Sequence, residues 1–383
     1  MSEMTTTGAD SGNQATILAP ASSGLKFGPD HGFCHEIRAR VERYFQESGL
    51  RKRDCPRMYV KSAIVLAWLA ASYVLLVFVA SAWWMAIPLA VSLGLSMAAV
   101  GFNVQHDGGH QAYSERRWVN KLAAMTLDLL GGSSFVWARK HNSIHHSFAN
   151  ITGHDDDIDL SSLGRLTPHQ PRLWFHRLQH IYLWLVYGLL PVKWQLVTDF
   201  RHILIGRVGS YRLPRPKGWD LVGFVAGKAV FFTLAFVVPL LLHPVWIVLV
   251  FYFAIMYVQG LIMSVVFQLA HCVEEAEFPM PQADTGRMEA AWAEHQVQTT
   301  VDFARKSRLV SWFTGGLNFQ IEHHLFPQIC HIHYPRLSQV VEATCREFGL
   351  RYAEHKTVLA GVASHFRWLR RMGMEEEIPA GAA

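Results

Sequence analysis

Residues 229–273 contain no Asp, Glu, Lys or Arg. A helix that spans a bilayer needs about 20 mainly apolar residues, so this window is long enough for two. A second window has the same character. From position 62 to position 115 there is no Lys or Arg, and the first acid is Asp107. Length alone would allow two or three soluble domains in 383 residues. With 51% apolar and only 17% charged residues, the chain reads instead as one multi-pass, all-helical membrane body.

The first window divides at "SAWWMAIP" into spans near 62–81 and 85–105, with Trp83 and Trp84 as interfacial anchors at the turn. The second divides at "LLHPVWI" into spans near 220–241 and 245–270, the first of which contains the awkward Lys228. Both outer turns lack Lys and Arg, whereas "GLRKRDCPRMYVK" and the other flanking segments are basic. Positive charge beside a span favours the cytoplasmic side. The expected topology is two hairpins dipping from the cytosol, with both termini and a helical cap on that face. Residues 62–383 form the main domain, and residues 26–61 a cytosolic segment whose "CHEIRARVERYFQES" has helical spacing. The first 25 residues have neither the basic start nor the apolar core of a signal peptide and read as a flexible tail. Between the hairpins, "RLWFHRLQHIYLWLVYGLLP" reads as an interfacial helix ended by Pro191.

A net charge of +5 is too modest for a nucleic-acid binder. Five scattered cysteines without a CxxC indicate neither a disulfide framework nor a zinc ribbon.

Chemistry concentrates in the histidines. "QHDGGHQ" offers His106 and His110, "RKHNSIHHSFAN" offers His141, His145 and His146, "QLAHCVEE" offers His271, and "LNFQIEHHLFP" offers His323 and His324. Residues four apart on a helix lie only about 40° apart around its axis. His106/His110, His141/His145 and Gln320/His324 all have that spacing. His106 and His271 fall just past the second and fourth spans, so every cluster belongs to one side of the membrane. Imidazole suits Zn, Cu, Fe and Ni, but eight donors exceed the four that one zinc takes and suggest two neighbouring metals. The HExxH order of zinc proteases is absent, since Glu322 precedes its histidines.

"HDGGH", "HNSIHH" and "QIEHH" resemble, in order, the three histidine boxes of the membrane fatty acid desaturases. The QxxHH form, with "HHSFANITGHDDDID" and "NFQIEHHLFP", is similar to the front-end, linoleoyl-CoA desaturase-like branch, and the resemblance runs from about Lys26 to about Tyr352. It implies a non-haem di-iron enzyme that uses O2 and two electrons to take two hydrogens from adjacent acyl carbons, leaving a cis double bond. An unactivated C–H bond offers no proton for acid–base catalysis and no electrophile for a nucleophile, so an oxidising cofactor is needed. By the same resemblance His106, His110, His141, His145, His146, His271, His323 and His324 are iron ligands. Gln320 binds weakly through its carbonyl, orients a ligand or holds a water, and Asp155, Asp157 and Glu322 either accept imidazole N–H groups or are solvated surface carboxylates. The substrate is an acyl chain on coenzyme A or a membrane lipid. The HPGG mark of a fused cytochrome b5 is missing, so a separate ferredoxin or cytochrome b5 is expected as donor. Arg116, Arg117, Arg139, Lys140, Arg305, Lys306 and Arg308 are candidates to steer it, or equally to bind coenzyme A phosphates or lipid headgroups, with plain solvated charge the default for each.

Two rival readings stay open at this stage. A hydroxylase, acetylenase or sphingoid-base desaturase would use the same scaffold. A membrane metal transporter would place its ligands at mid-bilayer depth, whereas these clusters lie at the span ends.

Overall fold

The computed structural model describes residues 25–374, so the expected N-terminal tail lies outside the described residues save for Leu25. Helix α1 (Phe33–Ser48) forms where the apolar spacing places it, burying Phe33, Ile37, Val41 and Phe45 on one face. Gly49, at φ 63°, ends it in the left-handed conformation and returns its N–H to the Phe45 carbonyl.

Among the described residues five helices are long and apolar enough to cross a membrane: α2 (Pro56–Val79), α3 (Trp83–Gly109), α4 (Trp174–Ile205), α5 (Trp219–Leu240) and α6 (Val245–His271). Four of them fill the two charge-poor windows. Helix α2 starts earlier than the expected 62 because Pro56 sits in its first turn, where a missing N–H costs nothing. Trp84, Ile87, Val91, Leu249, Val250 and Phe253 are exposed, and so much outward apolar surface suits lipid rather than water. Between α3 and α6 the backbones approach closely: a Cβ at Gly94 would lie 2.8 Å from the Ile255 carbonyl oxygen.

Helix α4 corrects the expected end at Pro191, because the helix runs on past that residue. The helical stretch continues through Lys193 and a π-turn to Ile205. Proline removes the bond to the carbonyl four residues back, and that carbonyl, on Tyr187, accepts the Ser264 hydroxyl of α6 instead, at 3.3 Å. Lys228 is also accounted for. Its buried ammonium donates to Asp199 Oδ2 at 2.8 Å and to the Gly131 carbonyl at 2.7 Å. Intramembrane charge is tolerated where it is paired, and this pair ties α5 to α4.

The rest of the described chain includes α7 (Gln320–Leu325), α8 (Tyr334–Glu347) and α9 (Val358–Met374). Phe33 and Ile37 of α1 share one buried cluster with Ile321 and Leu325 of α7 and Val341 and Cys345 of α8. The "QIEHHL" turn is therefore gripped from both sides. A short parallel pairing of Asp302–Phe303 with Glu354–His355 closes the cap behind it.

Candidate metal centre

Two of the histidine clusters sit where a helix is distorted. Helix α3 passes through a π-turn (Gly101–Gln105) before its last α-turn (His106–Gly109), and the His106 and His110 rings lie 4.6 Å apart. The two glycines between them are packing requirements. A Cβ on Gly108 would meet Ala123, and one on Gly109 would collide with the Trp137 ring.

The second cluster lies on a π-helix, Ala138–His145, that hands over to His146. A π-turn aligns residues five apart, which is why His146 Nε2 comes to 3.3 Å from His141 Nε2. An ideal α-helix would separate them. His271 is the last residue of α6, and His323 and His324 lie on α7.

These segments converge. One donor atom from each of His106, His110, His141 and His323 lies within 4.8 Å of the others, and the same holds for His145, His271 and His324. His146 groups with His323 and His324, its ring centroid 4.6 Å from the first and 4.3 Å from the second. The eight residues thus form a four-histidine end and a three-histidine end, with His146 between them.

The nitrogens sort into anchored and free. His145 Nδ1 bonds Asp155 Oδ2 at 3.0 Å, and His324 Nδ1 bonds Gln296 Oε1 at 2.8 Å. His141 Nδ1 meets Asp157 Oδ2, and His323 Nδ1 meets the Tyr334 hydroxyl, both at 3.4 Å. By contrast His110 Nε2, His145 Nε2, His323 Nε2, His324 Nε2, His146 Nδ1 and His271 Nδ1 are buried without a partner. Each such atom costs about 1–3 kcal/mol. Other histidines carry one unpartnered nitrogen too, but singly; here they cluster. Buried lone pairs fixed by anchors on the far side of the ring are what transition-metal ligation uses.

Electrostatics keeps the donors neutral. Burial, and then the neighbouring imidazoles, hold His110, His146, His323 and His324 well below the ordinary imidazole range. His145 differs: burial lowers it, but Asp155 and Asp157 more than offset that and raise it overall. Burial would raise Asp157, yet Lys140 and the imidazoles draw it well below the carboxylate range.

Most expected residues come together. His271 joins His145 and His324, and Gln320 Nε2 lies 2.9 Å from His271 Nε2. Asp155 and Asp157 accept from imidazoles as expected. Glu322 does not: its Oε1 takes the Tyr352 hydroxyl at 2.9 Å, and burial beside Asp302 raises it well above the usual range. Two of the proposed steering cations are already engaged. Lys140 pairs with Asp156 and Asp157, and Arg305 with Glu342 and Glu354. His154 stands outside the cluster, bonded to the Tyr211 hydroxyl.

Sequence reasoning missed Gln296, Tyr334 and Asn150. Asn150, at φ 59°, donates through Nδ2 to the carbonyls of His271, Glu277 and Thr299. It thereby joins the second cluster to the end of α6. Its one local signal is the "AN" step after the box, since Asn tolerates the left-handed region; Gln296 and Tyr334 have none.

Known proteins are similar to this chain over most of its length. The fatty acid desaturase family matches residues 81–356. The sn-1 linoleoyl-lipid 6-desaturase of Arthrospira platensis is 38% identical over 365 residues, covering 95% of this chain and 98% of that protein. Its namesake in Synechocystis is 35% identical over 91% of this chain and 98% of its own length. The acyl-lipid (8-3)-desaturase of Physcomitrium patens is 36% identical over 89% of this chain and 71% of that protein. This chain therefore belongs to the fatty acid desaturase family, on its front-end branch, and is an oxidoreductase that desaturates fatty acyl chains.

Proposed function

We propose that the protein introduces a cis double bond into an acyl chain carried by a membrane lipid, with two irons held by His106, His110, His141, His145, His146, His271, His323 and His324. One observation carries this reading: eight buried imidazoles converge with six nitrogens left unpartnered. The irons would supply the oxidising power, drawn from O2 and two donated electrons, that removal of unactivated hydrogens requires. The chain's own residues fix the donors. Asp155 and Gln296 select the tautomer of His145 and His324, since an Nδ1–H directed outward leaves Nε2 facing inward. Gln320 replaces a potential ninth imidazole at the three-histidine end with an amide that orients His271. The names of the relatives favour an acyl-lipid over acyl-coenzyme A, and favour placement of the double bond toward the carboxyl end. Electrons come from a separate ferredoxin or cytochrome b5.

Four crossings account for the membrane body, and residues 62–383 form the desaturase domain behind the 26–61 segment. Parity supports the number. Helices α3 and α6 both end at the cluster, and α5 and α6 are joined by a short turn, so α5 must begin on the cluster side. Val208 and Tyr211, just after α4, pack with Ile144 and Phe148 beside the second box. Helix α4 then starts and finishes on the cluster side and does not cross. The basic flanks make that side cytosolic.

Expression in a host of defined fatty acid content, with mass spectrometric location of the new unsaturation, tests the reaction. Loss of two hydrogens near the carboxyl end, with about two irons per purified chain, is the expected result. An added oxygen, or zinc in place of iron, would overturn it.

A further inference from the structure

A second polar cluster lies beside the four-histidine end, and the chemistry above does not use it. Lys61, from the first turns of α2, is 5% exposed, and no carboxylate lies within ion-pair distance of it among the described residues. Its Nζ meets His331 Nε2 at 2.9 Å, and His331 Nδ1 meets Asp107 Oδ2 at 2.9 Å. An ammonium can only donate. His331 Nε2 must therefore carry the lone pair, and Nδ1 the hydrogen, which goes to the carboxylate. The His331 backbone N–H points at the same oxygen, at 3.4 Å. All three groups are buried, with Asp107 2% and His331 3% exposed. A buried ammonium and carboxylate would each be costly alone; the imidazole between them makes the set neutral and gives it one orientation.

Location gives that orientation a consequence. Asp107 lies between His106 and His110 on the last turn of α3, and His331 lies on the segment that leaves α7 after His323. Gly108 and Gly109 wedge this turn against Ala123 and Trp137, so two of its sides are fixed by contact. The Asp107–His331 bond fixes the third. We propose that His331 is a positioning residue for the four-histidine end, holding His106 and His110 in register with His323 through Asp107 and under the constraint of Lys61.

Asp107, His331 and Cys330 also have donor atoms within 4.8 Å of one another, the spacing of a third metal site. Lys61 argues against that use. It places a positive charge on the far nitrogen of the same ring, and the Nδ1 lone pair a metal would need already holds a hydrogen.

The inference rests on the two-iron reading above, and the test separates the two. Iron per chain and the rate of iron release to a chelator are measured on the purified full-length protein, wild type and His331→Ala, His331→Asn and Lys61→Met. Groups that orient metal ligands are worth about 10–100-fold in metal affinity. His331→Ala is expected to lower iron from about two to about one per chain and to speed release of the weaker iron by a factor in that range. His331→Asn, whose amide N–H can take the place of Nδ1–H, should restore most of the iron, and Lys61→Met should fall between. Two firmly held irons in His331→Ala would sink the inference while leaving the two-iron reading intact. So would loss of both irons without rescue by Asn, or a third metal in the wild type that vanishes with His331. A wild-type chain without iron would remove the two-iron reading and this inference with it.

Discussion

At one end of the centre four imidazoles, from His106, His110, His141 and His323, have donors within 4.8 Å of one another; at the other, three do, from His145, His271 and His324. Their anchoring runs the opposite way. The three-histidine end is tied by short bonds, Asp155 to His145 at 3.0 Å and Gln296 to His324 at 2.8 Å. Among the described residues the anchors on the rings of the four-histidine end are the longer 3.4 Å contacts of Asp157 and Tyr334, and its backbone turn is held instead through Asp107 and His331. The rings of the smaller set are anchored by shorter bonds, and those of the larger set by longer ones. A metal site can gain its precision from the number of donors or from the stiffness of each, and this cluster divides the two strategies between its ends.

The largest test of this contrast is His323→Ala. His323 groups with the four-histidine end and, through His146, with His324, so its loss should disturb both metals. Product should fall by more than about 100-fold, beyond what loss of an outer partner causes, with membrane insertion unchanged on fractionation. Undiminished turnover would remove the third box from the centre.

Next come the paired carboxylates. Asp155→Asn should weaken metal retention at the three-histidine end by about 10–100-fold, and Asp157→Asn by less, because its contact with His141 is longer. Asp155 also accepts the Asn150 backbone N–H at 3.0 Å, so its loss loosens the loop as well. Equal chelator sensitivity in the two variants would erase the distinction between the ends.

Gln320→His probes the missing donor. An added imidazole beside His271 should slow iron release from the three-histidine end by about 10-fold, the scale of one orienting group, and bring the two ends closer in affinity. A variant that releases iron faster than wild type would show that the amide is needed as an orienting group and not as a deficient ligand.

The smallest effect is expected behind the cluster. The Tyr352 hydroxyl bonds Asp302 Oδ2 at 2.6 Å and Glu322 Oε1 at 2.9 Å. Asp302 Oδ1 in turn accepts the Ile321 N–H at the start of α7. Tyr352→Phe should cost about 1–3 kcal/mol of stability, the scale of a buried acceptor left unpaired, seen as a lower melting temperature with iron content preserved. Loss of iron would mean that this network belongs to the centre.

Much of this was legible in the chain itself. Absence of charge over residues 229–273 and in the first window located four of the five apolar helices, because a span is a local requirement on composition. Histidine spacing picked out seven of the eight imidazoles that converge, because side chains four apart on an α-helix share a face. His271 came from resemblance and position. Pro191 misled, since proline breaks a helix only where nothing else satisfies the freed carbonyl, and Ser264 lies on another helix. Glu322 misled for the same reason: its partner, Tyr352, is 30 positions away.

The sequence by itself thus determined the charge-poor helices, the donor type and the spacing of the imidazoles along each box, all of which depend on neighbours along one stretch of chain. Only the tertiary structure decided how eight imidazoles divide into two ends, which carboxylate or amide holds each ring, and that Lys61, Asp107 and His331 form a unit. Those choices depend on which side chains meet across 10 to 270 positions of chain, and a free-energy balance between groups on different elements leaves no periodic trace for a reader of the sequence to find.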